Sequence, residues 1–105
     1  MKIAAAQINS TIGDFEGNRA TIMTETLRAR SLGADLVVFP ELSVCGYPPM
    51  DLLDHAAFVE ENLKTLRELQ RTRPPGIAVV VGYVDRTATP AGKALQNVAA
   101  VILDG

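Results

Sequence analysis

Glu41 is the carboxylate in this sequence best placed to do chemistry. It follows an apolar run, Leu36-Val37-Val38-Phe39, that stops at Pro40, and it opens a loop through Cys45-Gly46-Tyr47-Pro48-Pro49. Short apolar runs bounded by turn signals read as buried strands. Pro40 has no N–H for a sheet ladder and biases Phe39 toward extended geometry, so it marks the strand end. A carboxylate just beyond the carboxyl end of a buried strand lies where open α/β sheets bind ligands. Flanked by apolar residues on both sides, Glu41 is expected to be partly desolvated, an environment that favours a proton-holding carboxyl and suits a general base. Position alone also allows a glutamate that caps a loop or meets an arginine at the surface, since perturbed acids are often merely structural.

The other reactive side chains are weaker candidates. Tyr47 could line a pocket beside Glu41, or pack as a loop tyrosine against Pro48 and Pro49. Cys45 is the single cysteine, which excludes an internal disulfide and fits a reducing compartment. Buried free cysteine usually behaves as a small hydrophobe, and a loop-packing role is expected of it. His55 has no second ligand type at metal spacing, so it reads as a helix-surface residue and no metal site is expected. Gly13, Gly17, Gly46 and Gly82 form neither a dinucleotide fingerprint nor a P-loop, so no nucleotide cradle is expected in this segment.

The elements that must position Glu41 follow from periodicity. Ile3 to Ile8 reads as a first strand, and Asn9 to Asn18 as a turn-rich loop in which Asp14 or Asn18 caps a helix. That helix runs to about Leu32 and stops at Gly33. Its pattern is only moderate: Ala20, Met23 and Leu27 share one face while Ile22 and Ala29 lie nearly opposite, which suggests cover on both sides. Ala34 to Phe39 is the second strand, parallel to the first through the helical crossover. Asp51 or Asp54 caps a second helix to about Thr72, with Leu52, Ala56, Val59, Leu63 and Leu66 recurring at steps of four and three. Pro74-Pro75-Gly76 ends it. Ile77 to Val81 is a third strand, Asp85 to Gln96 a polar loop, and Val98 to Leu103 a fourth strand.

The fold class is therefore α/β. At 105 residues the chain is at most one domain. A net charge of -2 leaves no basic footprint for nucleic acid. No apolar run approaches the roughly 18 residues of a membrane span, and the N-terminus is too short in apolar residues for a signal peptide, so a cytoplasmic protein is expected. Continuously apolar strands require helices on both faces, and two helices are too few for that. Asp104-Gly105 is a strong hairpin signal with no returning strand. The expectation is a partial domain over 1–105, cut at the hairpin after the fourth strand, whose exposed apolar surface would promote association.

The motif Phe39-Pro40-Glu41-Leu42-Ser43, followed by Gly46-Tyr47-Pro48-Pro49 and Asp51-Leu52-Leu53, resembles the glutaminase domain of the glutamine-dependent NAD synthetases. That domain belongs to the nitrilase, or carbon–nitrogen hydrolase, superfamily. The resemblance extends through Ala6-Gln7-Ile8-Asn9, Ile12-Gly13-Asp14-Phe15 and Asn18, then Val81-Gly82 and Asn97, and so covers essentially the whole chain. The Phe-Pro-Glu-Leu element points to the superfamily, and Gly-Tyr-Pro-Pro-x-Asp-Leu-Leu to the synthetase branch. Met50 stands where that branch often has an acidic residue.

The resemblance implies the N-terminal part of a nitrilase-type αββα sandwich, with about four strands and two helices. It implies a Glu-Lys-Cys triad in which the glutamate takes a thiol proton, the thiolate attacks the glutamine amide, and lysine stabilises the developing oxyanion. Glu41 matches the base. Cys45 lies too close to Glu41 to match the nucleophile, and Lys93 lies before the strand that precedes the family lysine. The chain alone is thus expected to be inactive. In the whole enzyme the ammonia would pass to a C-terminal synthetase domain, using ATP and Mg to amidate nicotinic acid adenine dinucleotide, within a homo-oligomer. No cofactor is implied for this segment. A stand-alone amidase of the same superfamily and a non-catalytic interaction module are the alternative readings.

Overall fold

The structure, a computed structural model, describes residues 1–47, 49, 52, 55–86 and 95–103. Its elements run β1 (Ile3–Ala5), α1 (Phe15–Ser31), β2 (Leu36–Val38), α2 (Ala56–Thr72), β3 (Ala78–Arg86) and β4 (Leu95–Ile102). The four strands form one open sheet in the order β1-β2-β3-β4. The first three are mutually parallel, and β4 returns antiparallel along β3. The fold class is α/β, as expected, with the strand and helix complement of a partial αββα sandwich.

Differences from the expected boundaries have local causes. β1 is shorter than Ile3 to Ile8 because its partner β2 ends before Pro40. Ala6 adds one more bond from its N–H to the Val38 carbonyl, at 2.9 Å. β3 and β4 are longer, and the polar residues Asp85, Arg86, Gln96 and Asn97 belong to strands. Their backbones pair with one another, Arg86 with Leu95 and Asp85 with Gln96, and an antiparallel arm tolerates polar positions that a parallel core strand does not. The loop residues Pro90 and Gly92 and the Asp104-Gly105 hairpin signal lie outside the described residues.

Helix α1 begins at Asp14, whose carboxylate accepts from the Gly17 N–H at 3.0 Å, and Gly33 takes φ +88° just past its end. Its buried line is Asn18, Ile22, Thr26 and Ala29. The other apolar stripe is covered only at Met23, which packs against the core; Ala20 is exposed and Leu27 is 45% exposed. Half of the buried line is polar, which explains the weak pattern in the sequence. Thr26 returns its hydroxyl to the Ile22 carbonyl at 2.7 Å.

Helix α2 begins at Ala56 with His55 as its N-cap, and no side chain caps it. Asp51 and Asp54 lie outside the described residues. Leu52 precedes the helix and Ala56 is exposed, so the buried line is Phe58, Val59, Asn62, Thr65, Leu66 and Leu69. Asn62 is fully buried and replaces a missing strand. Beyond Val80, β3 has no β2 residues to pair with. The Asn62 carboxamide donates to the Val84 carbonyl at 2.5 Å and accepts from the Val84 N–H at 3.1 Å. Asn62→Ala would leave both backbone groups buried without partners. We expect the Val84 amide to exchange with solvent roughly 10- to 100-fold faster in that variant, read by hydrogen exchange of the β3 segment.

Burial alternates along β1, β2, β4 and the first half of β3 and assigns the two faces; past Gly82 the alternation shifts, and Val84 is buried against Leu42, Cys45 and Phe58. Val37, Val79, Val81 and Ile102 are buried beneath α1 and α2, in one cluster with Ile22, Leu66 and Leu69. Their neighbours Ile3, Ala5, Ala99 and Val101 lie on the opposite face and are exposed. Both helices therefore cover one face of an apolar sheet.

Candidate active site

Glu41 sits just past β2, and the sequence holds it there by three constraints. Pro40 stops the strand. Leu42 takes φ +52°, the left-handed region that side chains rarely enter, which turns the chain back sharply. Gly82 on β3 then makes room beneath the turn, for a Cβ there would lie 2.4 Å from the Leu42 nitrogen and 3.1 Å from the Glu41 Cα. The turn is closed by the Gly46 N–H to the Leu42 carbonyl at 2.8 Å and the Val44 N–H to the Gly82 carbonyl at 3.1 Å.

A second loop braces this turn. Asn18, in α1, donates to the carbonyls of Thr11 at 2.9 Å and Val44 at 3.0 Å and accepts from the Thr11 N–H at 2.9 Å. It is a buried clamp between two loops, while Asp14 does the capping. The Ser10 hydroxyl donates to the Ser43 carbonyl at 2.6 Å. Gly46, at φ +88°, lets the Ile12 backbone approach so closely that a Cβ would stand 2.6 Å from it.

Two clefts meet at Glu41. One, of about 240 Å³, is lined by Asn9, Ser10, Ser43 and Tyr47 as well as Glu41. The other, of about 410 Å³, lies on the open sheet face over Gly82 and Ala99, with Asn97 at its side. The Asn97 carboxamide donates to the Glu41 carboxylate. Tyr47 reaches the first cleft and is 62% exposed. Pro48, one of its two expected packing partners, lies outside the described residues.

The expected desolvation of Glu41 is absent here. Its side chain is exposed, because β2 ends before it and the sheet face beneath it is uncovered. Cys45 has the opposite environment. It is wholly buried among Leu42, Phe58 and Val84, and burial pushes its thiol up to about 11. Near pH 8 only about one such thiol in a thousand would be ionised. We expect the peptide bearing Cys45 to escape alkylation by iodoacetamide until the protein is unfolded, as read by mass spectrometry. His55 is exposed, and no cluster of metal-ligating side chains occurs among the described residues. No helix among the described residues is long and apolar enough to cross a membrane. Met50, Leu53 and Lys93 lie outside the described residues.

The Phe-Pro-Glu-Leu motif thus resolves into a physical device: a strained turn over a glycine that presents one carboxylate at the end of a parallel strand. The chain belongs to the carbon–nitrogen hydrolase family, whose model matches residues 2–105. Within that family it is homologous to the glutamine-dependent NAD(+) synthetases. It is 41% identical to that of Thermotoga maritima over the whole of this chain and 18% of the relative. A solved glutamine-dependent NAD+ synthetase from Acinetobacter baumannii superposes with a TM-score of 0.84 at 33% identity, over 97% of this chain and 18% of that one. An amidase from Nesterenkonia sp. superposes with a TM-score of 0.73 at 28% identity, over 95% of this chain and 38% of that one. The chain thus spans under a fifth of the synthetases it matches.

Proposed function

We propose that this chain supplies the general base of a cysteine-dependent glutaminase within a glutamine-dependent NAD(+) synthetase. The observation that carries the reading is Glu41 itself, presented by the Leu42 turn over Gly82 where two clefts meet, in a chain so similar to those synthetases. One carboxylate oxygen takes the proton of a thiol, and the thiolate attacks the carboxamide carbon of glutamine. The C–N bond then breaks, ammonia leaves with the proton that Glu41 returns, and a thioester remains. Water adds to the thioester while Glu41 accepts its proton, giving glutamate and the free thiol. The burial of Cys45, the single cysteine of these 105 residues, speaks against its being that thiol; on this reading the nucleophile and the oxyanion-stabilising lysine would come from sequence beyond them. Tyr47 lines the smaller cleft beside Glu41, which supports a role for it in touching the substrate. The ammonia would serve an ATP-dependent amidation of nicotinic acid adenine dinucleotide.

The full-length protein, given glutamine labelled with ¹⁵N in its amide, ATP and nicotinic acid adenine dinucleotide, should place the label in the carboxamide of NAD. A second reading, an amidase acting on another small amide, rests on the likeness to the Nesterenkonia enzyme. One mutant form of that amidase carries the acetamide moiety of fluoroacetamide at its active-site cysteine. Ammonia release from simple amides, with no ATP-dependent labelling of NAD, would favour it and sink the first.

A further inference from the structure

We propose that Asn97 is a positioning residue for Glu41, holding one carboxylate oxygen so that the other is the atom that accepts the proton. The inference rests on the reading of Glu41 as general base. The turn at Leu42 and the close approach over Gly82 fix the Glu41 backbone, yet three rotatable side-chain bonds remain between that backbone and the carboxylate. In a base that must meet one thiol proton, this freedom is a cost in rate.

The β3–β4 register answers that need. Val84 stands opposite Asn97 and Gly82 opposite Ala99, so Gly82, Asn97, Ala99 and Val101 share the open face. Along that face β4 reads Leu95, Asn97, Ala99, Val101, a single polar residue within an apolar stripe. The polar residue stands where Glu41 overhangs the sheet, and both line the same cleft. Its Nδ2 donates to Oε1 of Glu41, the one hydrogen bond to that carboxylate among the described residues. A donor on Oε1 restrains the carboxylate and leaves Oε2 as the oxygen free to accept a proton. An amide is the fitting donor, because it can neither titrate nor neutralise the base it holds.

The test uses the full-length protein and ammonia release from glutamine. Asn97→Ala is expected to lower kcat roughly 10- to 100-fold while KM moves less than about threefold. Asn97→Gln, which keeps the amide donor on a longer stem, should recover part of the loss. In a Glu41→Gln background the Asn97→Ala change should cost no more than about twofold, since the group it acts through is already gone. Unchanged kcat in Asn97→Ala, or the same loss in both backgrounds, would overturn the proposal. So would a loss of protection across β4 in hydrogen exchange that matches the loss of rate, which would mark a structural role. If Glu41→Gln alone leaves hydrolysis intact, the general-base reading fails instead, and the two failures are told apart.

Discussion

Glu41→Gln in the full-length protein is expected to lower glutamine hydrolysis roughly 1,000-fold, the range in which a positioned general base contributes. The substitution keeps size and shape and still offers an oxygen to the Asn97 amide. What it removes is the capacity to take a proton. A thiol held at its ordinary affinity is a poor nucleophile, and without a base the attack on a carboxamide must wait for the rare ionised form. Synthesis driven by added ammonia should survive, because it bypasses the thioester. The comparison of glutamine-driven with ammonia-driven rates in one preparation is therefore the decisive measurement. Equal retention of both would show that Glu41 does not carry the reaction, and equal loss of both would show that the variant is misfolded.

Gly82→Ala is the second large effect. The added methyl would meet the Leu42 nitrogen at 2.4 Å, a contact with backbone that no rotamer change can relieve. Either β3 or the Glu41–Leu42 turn must move. Overpacking of this kind costs about 2–3 kcal/mol. The turn also sets the base, and a displacement near 1 Å can cost about 100-fold in rate. Hydrogen exchange should report loosened protection at residues 42–46, and glutamine hydrolysis should fall with it. An alanine variant with wild-type rate and protection would show that the turn has room to retreat, and that the close approach is incidental to Glu41.

The contrast between Glu41 and Cys45 is instructive because the sequence sets them four residues apart. The left-handed Leu42 between them turns the chain, so that one is exposed at the meeting of two clefts and the other is wholly buried. Their spacing already speaks against pairing them as base and nucleophile. Burial separates them, and it does so by the same device that presents the base.

Much of the scaffold was legible without coordinates. The alternation of strands and helices, a helix cap at Asp14 or Asn18, the Gly33 stop and the strand end at Pro40 are local events, governed by periodicity and by residues that break it. The polar supports were not. Asn18 and Asn62 are buried in helices, and nothing in their neighbours announces it, because the groups they satisfy lie in Thr11, Val44 and Val84. The extent of β3 and β4 was hidden for the same reason: strand polarity there is set by the partner arm. The solvent exposure of Glu41 is likewise not a local property, since flanking apolar residues say nothing about whether the space above a carboxylate is filled.

The sequence by itself thus determined that a carboxylate stands at the carboxyl end of a buried strand, within a motif of the carbon–nitrogen hydrolases. Only the tertiary structure decided how it is held. Gly82 and Asn97 reach Glu41 from distant parts of the chain through the register of a hairpin, and a register is a property of paired backbones that no local window contains.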